Sequence, residues 1–186
     1  MCLFAFFLTA ALYFTISVEV FKARLHDTPE NLNFASGQKV TVLKIIDGDE
    51  ISVKMNNSQF IVRILGISSY EPAVNDPVLE NVAKETMRYL EKTILNYDVE
   101  LVFEKFQQDK DKRVLAYVYY DGTDIGLSMI QNGLSIVYTR YPFPRIEEYL
   151  HIERIAVREK KGLWGVPAAA GRAVMLKNLW KKGKVR

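Results

Sequence analysis

The chain has 186 residues, 49% of them hydrophobic, with 25 Lys and Arg against 22 Asp and Glu and a formal net charge of +3. That length suits one ordinary domain with short extensions and excludes a multidomain assembly. A single Cys excludes a disulfide framework or a cysteine-rich zinc module, and His26 and His151 show no metal-ligand spacing. The charge excess has one location: residues 166–186 hold Arg172, Lys177, Lys181, Lys182, Lys184 and Arg186 with no acid, whereas residues 38–165 carry 17 basic against 19 acidic side chains. The excess is therefore a property of an appendage and no evidence for nucleic-acid binding by the domain.

Residues 1–18 lack any charged side chain and include 15 apolar ones, the lower limit for a membrane-spanning helix. No Lys or Arg precedes the run and no A-x-A site follows it, so residues 1–21 are read as an uncleaved membrane anchor, with a signal segment and export as the alternative. Lys22 and Arg24 on its C-terminal side favour a cytoplasmic domain, although the side of the membrane stays open. Residues 22–38 are polar, with Pro, Gly and Asn, and read as a linker.

From Lys39 the apolar period changes to two. Val40 and Val42 alternate with Thr41 and Leu43, which places Lys44 on the inner side; Asp47-Gly48 then turns the chain, and a second strand runs over 50–55. Asn56-Asn57 is a further turn before a third strand over 59–65. A loop over 66–77 leads to a helix over 78–95 with Val82, Thr86, Tyr89, Leu90 and Ile94 along one side. Strand alternation returns at Val99, Leu101 and Phe103 and over 114–120, with a charged loop between. A short helix ends near Gly133, and a longer one over 146–161 stops at Gly162. Three strands, a helix, two strands and closing helices predict an α+β fold. Its centre is a five-stranded barrel of the oligonucleotide-binding type with about three helices, preceded by the N-terminal hydrophobic helix. The domain is expected over 39–165, with a basic tail over 166–186.

Three segments carry candidate chemistry. In Ile46-Asp47-Gly48-Asp49, two carboxylates flank a glycine at a strand junction, oxygen donors suited to a hard cation; an ordinary acidic turn explains them equally well. In Val62-Arg63-Ile64-Leu65-Gly66-Ile67-Ser68-Ser69-Tyr70-Glu71, Arg63 interrupts an apolar strand, where a guanidinium requires an anion or carboxylate partner. In Asp109-Lys110-Asp111-Lys112-Arg113, an arginine stands at the mouth of a hydrophobic strand, although such a run alone is usually a solvated turn.

In this order and spacing the segments resemble the staphylococcal nuclease, or thermonuclease-like, family. The resemblance runs from Val40 to Trp164 and is supported by Asn132-Gly133-Leu134, by the hairpin Tyr117-Val118-Tyr119-Tyr120-Asp121-Gly122 and by the closing AVREKKGLW at 156–164. It implies hydrolysis of phosphodiester bonds in DNA or RNA with Ca2+, in a monomer. Carried over position by position, it implies Asp49, Asp47 and the Ser69 carbonyl as metal ligands, Arg63 and Arg113 on the scissile phosphate, Glu71 as general base, and Lys110 and Tyr141 as substrate contacts. Ser68 stands where the family has a second calcium aspartate, and Tyr70 replaces the proline before the glutamate. Strand alternation would turn Glu50 to the face opposite Asp49, leaving Asp47 to compensate. Two readings stay open: a calcium-dependent nuclease, or a catalytically weakened barrel kept as a binding or scaffold module, with Arg63, Glu71 and Arg113 as a structural ion-pair network. Tyr138, Tyr141 and Phe143 either stack on bases or pack on the barrel. The basic tail is solvated, or contacts nucleic acid or anionic lipid.

Overall fold

The computed structural model describes residues 34–72, 75–105, 107–109 and 111–183. The anchor, most of the linker and Lys110 lie outside them. Among the described residues no helix is long and apolar enough to cross a membrane.

Strands β1 (Gln38–Ile45), β2 (Glu50–Met55) and β3 (Ser58–Ile64) form an antiparallel meander. β1 also pairs with β5 (Asp98–Val102), which pairs with β6 (Val114–Tyr120), both antiparallel. A parallel β3–β6 join, Val62 opposite Val114 and Ile64 opposite Ala116, closes the five strands into the expected barrel. Val40, Val42, Ile51, Val53, Phe60, Val62, Val99, Leu101 and Val118 fill its core. One departure from strict alternation occurs in β1. A shift of register between Val42 and Lys44 turns Lys44 outward and brings Ile45 into the core, so the inner place expected for Lys44 goes to an apolar residue.

The short strands β4 (Ile67–Ser68) and β8 (Ile136–Val137) pair on each other, and β7 (Thr123–Asp124) completes a hairpin with β6. Helix α1 (Pro77–Ile94) starts as its sequence dictates: Pro77 opens the first turn and the Asp76 carboxylate accepts from the Val78 and Leu79 N–H groups. Helix α2 (Ile125–Gln131) is capped by Asp124, and α3 (Ile146–Arg158) follows.

Residues 167–183, the larger part of the basic tail, form a fourth helix, α4 (Pro167–Gly183). Its small residues Ala169 and Ala173 are fully buried against Leu79, Val82 and Ala83 of α1, with Tyr70, Ile136 and Leu163 in the same cluster. Leu176 and Trp180 continue that inner face, while Arg172, Lys181 and Lys182 remain exposed. Charge composition alone hides this helix, because the residues that dock it are alanines.

Asp124 is the hinge between barrel and helices. Its carboxylate caps α2 at the Leu127 N–H (3.0 Å), accepts from the Tyr149 hydroxyl (2.9 Å) and pairs with Arg145, whose guanidinium lies over the Tyr117 and Tyr149 rings. Burial, with Asp124 beside it, pushes the Tyr149 phenol well above its ordinary range. Removing the carboxylate leaves the buried Tyr149 hydroxyl and the first turn of α2 unmatched, while half-buried Arg145 keeps Glu148 and the Tyr119 hydroxyl. Asp124→Ala is expected to cost about 3 kcal/mol of stability in urea unfolding.

Candidate active site

The acidic turn between β1 and β2 is tied to three neighbours. The Asp47 carboxylate accepts the Asp49 N–H at 2.8 Å, the N–H groups of Ile46 and Asp47 donate to the Glu50 carbonyl, and the Asp49 carbonyl accepts from Ile64 of β3 at 2.8 Å. Gly48 sits where a Cβ would come within 2.5 Å of the Thr86 methyl and 2.6 Å of Ser69. The glycine is what lets the turn lie against both α1 and the loop after β4.

Asp49 is thereby buried, only 4% exposed, and Arg63 meets it with both arms of its fork, Nη1 to Oδ1 at 3.2 Å and Nη2 to Oδ2 at 3.1 Å. The Ser69 N–H donates to the same carboxylate at 3.1 Å. Burial pushes the Asp49 carboxyl well above its usual range; Arg63 and the Ser69 N–H pull it back, and Asp47 adds to the rise. For Arg63, burial and the neighbouring Arg113 oppose the charge, while Asp49 and Glu50 outweigh them and hold the guanidinium above its usual value. Asp49 is therefore one of the anions that the strand sequence required for Arg63.

Glu50 belongs to the site, contrary to the expectation from strand alternation. Asp49 lies in the turn and not in the strand, so alternation does not relate the two residues; Glu50 is the first residue of β2 and stands directly across from Arg63 in the β2–β3 ladder. Its Oε1 accepts from Arg63 Nη1 at 2.9 Å and also from Arg113 Nη1. Sequence alone held the signal: counting outward from the Asn56-Asn57 turn pairs Glu50 with Arg63.

Arg113 is held from the other side by its own hairpin. Asp109 accepts from the Arg113 backbone N–H (3.0 Å) and Nε (2.7 Å), and Asp111 accepts from Nη2 at 3.2 Å. The two guanidiniums thus converge on one carboxylate oxygen, beside a group in which Asp47, Asp49 and Glu50 each place an oxygen within 4.8 Å of the others. Three carboxylates at that spacing form a donor set fitted to a hard divalent cation.

The loop after β4 departs from the family pattern in a way the structure accounts for. Tyr70 is buried and its hydroxyl donates to the Ala169 carbonyl of α4 at 2.6 Å, so the loop is fixed by a tertiary anchor. Ser68 pairs with Ile136 of β8. Glu71, next to the anchor, is exposed, and among the described residues no ion pair links it to Arg63 or Arg113. Tyr138 lies under Arg63, its ring centre 5.8 Å from Cζ, and its other contacts are Trp180 of α4 (4.9 Å) and Tyr141 (6.1 Å). Tyr141 is 60% exposed, whereas Phe143 is buried edge-on against Tyr149 and is a packing residue.

With this geometry in view, known proteins can be compared. The family model for staphylococcal nuclease homologues matches residues 61–166, and the chain belongs to that family. The matched span contains Arg63, the loop to Glu71, Arg113 and Tyr141; the acidic turn lies just before it, on the same barrel. The chain is 25% identical over 134 residues to the thermonuclease of Staphylococcus hyicus, covering 72% of this chain and 79% of that one. It is 27% identical over 140 residues to endonuclease YncB of Bacillus subtilis (74% and 66%). It is also 26% identical over 144 residues to an uncharacterised protein of Methanocaldococcus jannaschii (66% and 70%).

Burial pushes the Tyr70 phenol up to about 12, against the pull of Arg172. The folded phenol keeps its proton where the unfolded one loses it, so native stability falls as pH rises from 10.0 towards about 12. Tyr70→Phe is expected to lower stability by about 1 kcal/mol at neutral pH through loss of the Ala169 bond. Its urea midpoint should then decline less steeply than that of the unaltered chain above pH 10.0.

Proposed function

We propose that the protein is a calcium-dependent nuclease that hydrolyses phosphodiester bonds of DNA or RNA. The observation that carries this reading is the convergence of Arg63 and Arg113 on one point beside three clustered carboxylates. Two planar guanidiniums so placed can take the non-bridging oxygens of a phosphodiester and stabilise the charge that grows on them as water attacks. Asp47, Asp49 and Glu50 would hold the cation, with the Ser69 carbonyl as a backbone donor. When bound, Ca2+ supplies Lewis-acid stabilisation of the phosphate. Glu71, exposed at the rim, would take the proton of the attacking water. Tyr141, exposed beside Tyr138, offers a face on which a base can stack, and Lys110 is assigned a phosphate contact from its position in the sequence between Asp109 and Asp111. The uncharged, apolar residues 1–18 support a membrane tether.

Glu50 bears on the missing calcium aspartate. Where Ser68 takes an anionic ligand away, Glu50 returns one from the neighbouring strand. The donor set keeps its charge count while changing its source.

Full-length protein in detergent, given single-stranded DNA, should cleave with millimolar calcium and stop in chelator. Absence of cleavage at any calcium concentration would leave the barrel as a binding module. Glu71→Gln should lower kcat by roughly 10²- to 10⁴-fold and Arg113→Lys by roughly 10²-fold or more, read in single-turnover assays. Ser68→Asp adds an anionic ligand and should lower the calcium concentration for half-maximal cleavage; a raised requirement would assign position 68 no part in the site.

A further inference from the structure

Glu50 occupies an unusual place. One of its oxygens accepts from both guanidiniums that the phosphate would need, and the same carboxylate belongs to the acidic group that would hold the cation. Its side chain is 13% exposed, with Arg63 at 19% and Arg113 at 23%, so this contact is partly shielded from solvent. Carboxylate and phosphate oxygens present arginine with the same acceptor geometry. Neither Asp47 nor Asp49 bridges the two arginines: Asp47 bonds the turn backbone and Asp49 pairs with Arg63.

Resting on the nuclease reading of this site, we propose that Glu50 is an internal stand-in for the substrate phosphate. It holds the two guanidiniums together while the site is without substrate and gives them up when a phosphodiester arrives. Glu50 is then a positioning residue that sets substrate affinity. Arg63 keeps its second partner, Asp49, throughout, and Arg113 keeps Asp109, so both arginines stay in place when Glu50 withdraws. A cation drawn to Asp47, Asp49 and Glu50 competes for the same carboxylate, which weakens its hold on the arginines. Cation and phosphate binding are therefore coupled through Glu50, and the coupling acts equally in both directions.

The test reads binding without cleavage. Full-length protein in detergent, with chelator present, is titrated with a fluorescent single-stranded DNA oligonucleotide. Glu50→Gln keeps the size of the side chain and removes its charge; it should bind about tenfold more tightly than the unaltered chain. Asp47→Asn removes the same charge from the same group without freeing an arginine and should gain no more than about twofold. Glu50→Asp keeps the charge but draws it back by one methylene, and should gain about threefold, which separates release of the arginines from a general change of field. Thermal melts establish that each variant is folded. Unchanged or weaker binding by both Glu50 variants would overturn the proposal, as would an equal gain in Asp47→Asn. The nuclease reading is judged separately by cleavage in calcium. A chain that cleaves without the Glu50 gain refutes only the stand-in role, and a chain with the gain but no cleavage in calcium refutes only the nuclease.

Discussion

The parallel pairing of β3 with β6 is the constraint on which the remaining structure depends. It is the one parallel join in the barrel, set among antiparallel neighbours, and it requires a long excursion through α1 and β5 before the chain returns. By placing Arg63 across from Leu115 it brings the hairpin that ends in Arg113 beside the strand that carries Arg63. Fifty residues of sequence separate the two guanidiniums, and only this closure makes them neighbours. The acidic turn then needs only the adjacent β2–β3 ladder to place Glu50 between them.

Around this seam the charges are crowded, and carboxylates outnumber guanidiniums. Arg63 pairs with Asp49 and Glu50, Arg113 with Glu50, Asp109 and Asp111, and Asp47 adds another charge beside them. Such a cluster does not draw in polyanions by a broad positive field, and any attraction by its cations is confined to short range. The exposed cations Arg172, Lys181 and Lys182 belong to α4, a separate element.

Much of the fold was legible because local signals agree with it. Strand alternation, the Asn56-Asn57 turn and the apolar stripe of the helix expected over 78–95 each specify the element observed there. Lys44 was misplaced because a bulge leaves no mark in the pattern of apolar residues; its cause lies in pairing with β2. Arg63, Arg113, Asp47 and Asp49 are candidates through the family resemblance, and the structure brings these four side chains together. Glu50 was misjudged by extending strand periodicity one residue back into a turn, although the hairpin register would have corrected it. Helix α4 was hidden for a different reason. Its docking face is made of Ala169 and Ala173, and small residues reveal a close approach only when the partner surface is known.

That helix gives the far end of the chain a share in the site. The family match stops at residue 166, yet α4 receives the hydroxyl of Tyr70, the residue before the proposed base, and supports through Trp180 the ring beneath Arg63. A chain ended at residue 166, where the match stops, would keep every strand of the barrel and leave Tyr70 and Tyr138 without their backing from α4. The folded unit around the candidate site therefore runs past the family match, and a boundary drawn at residue 166 would separate α4 from the side chains it supports.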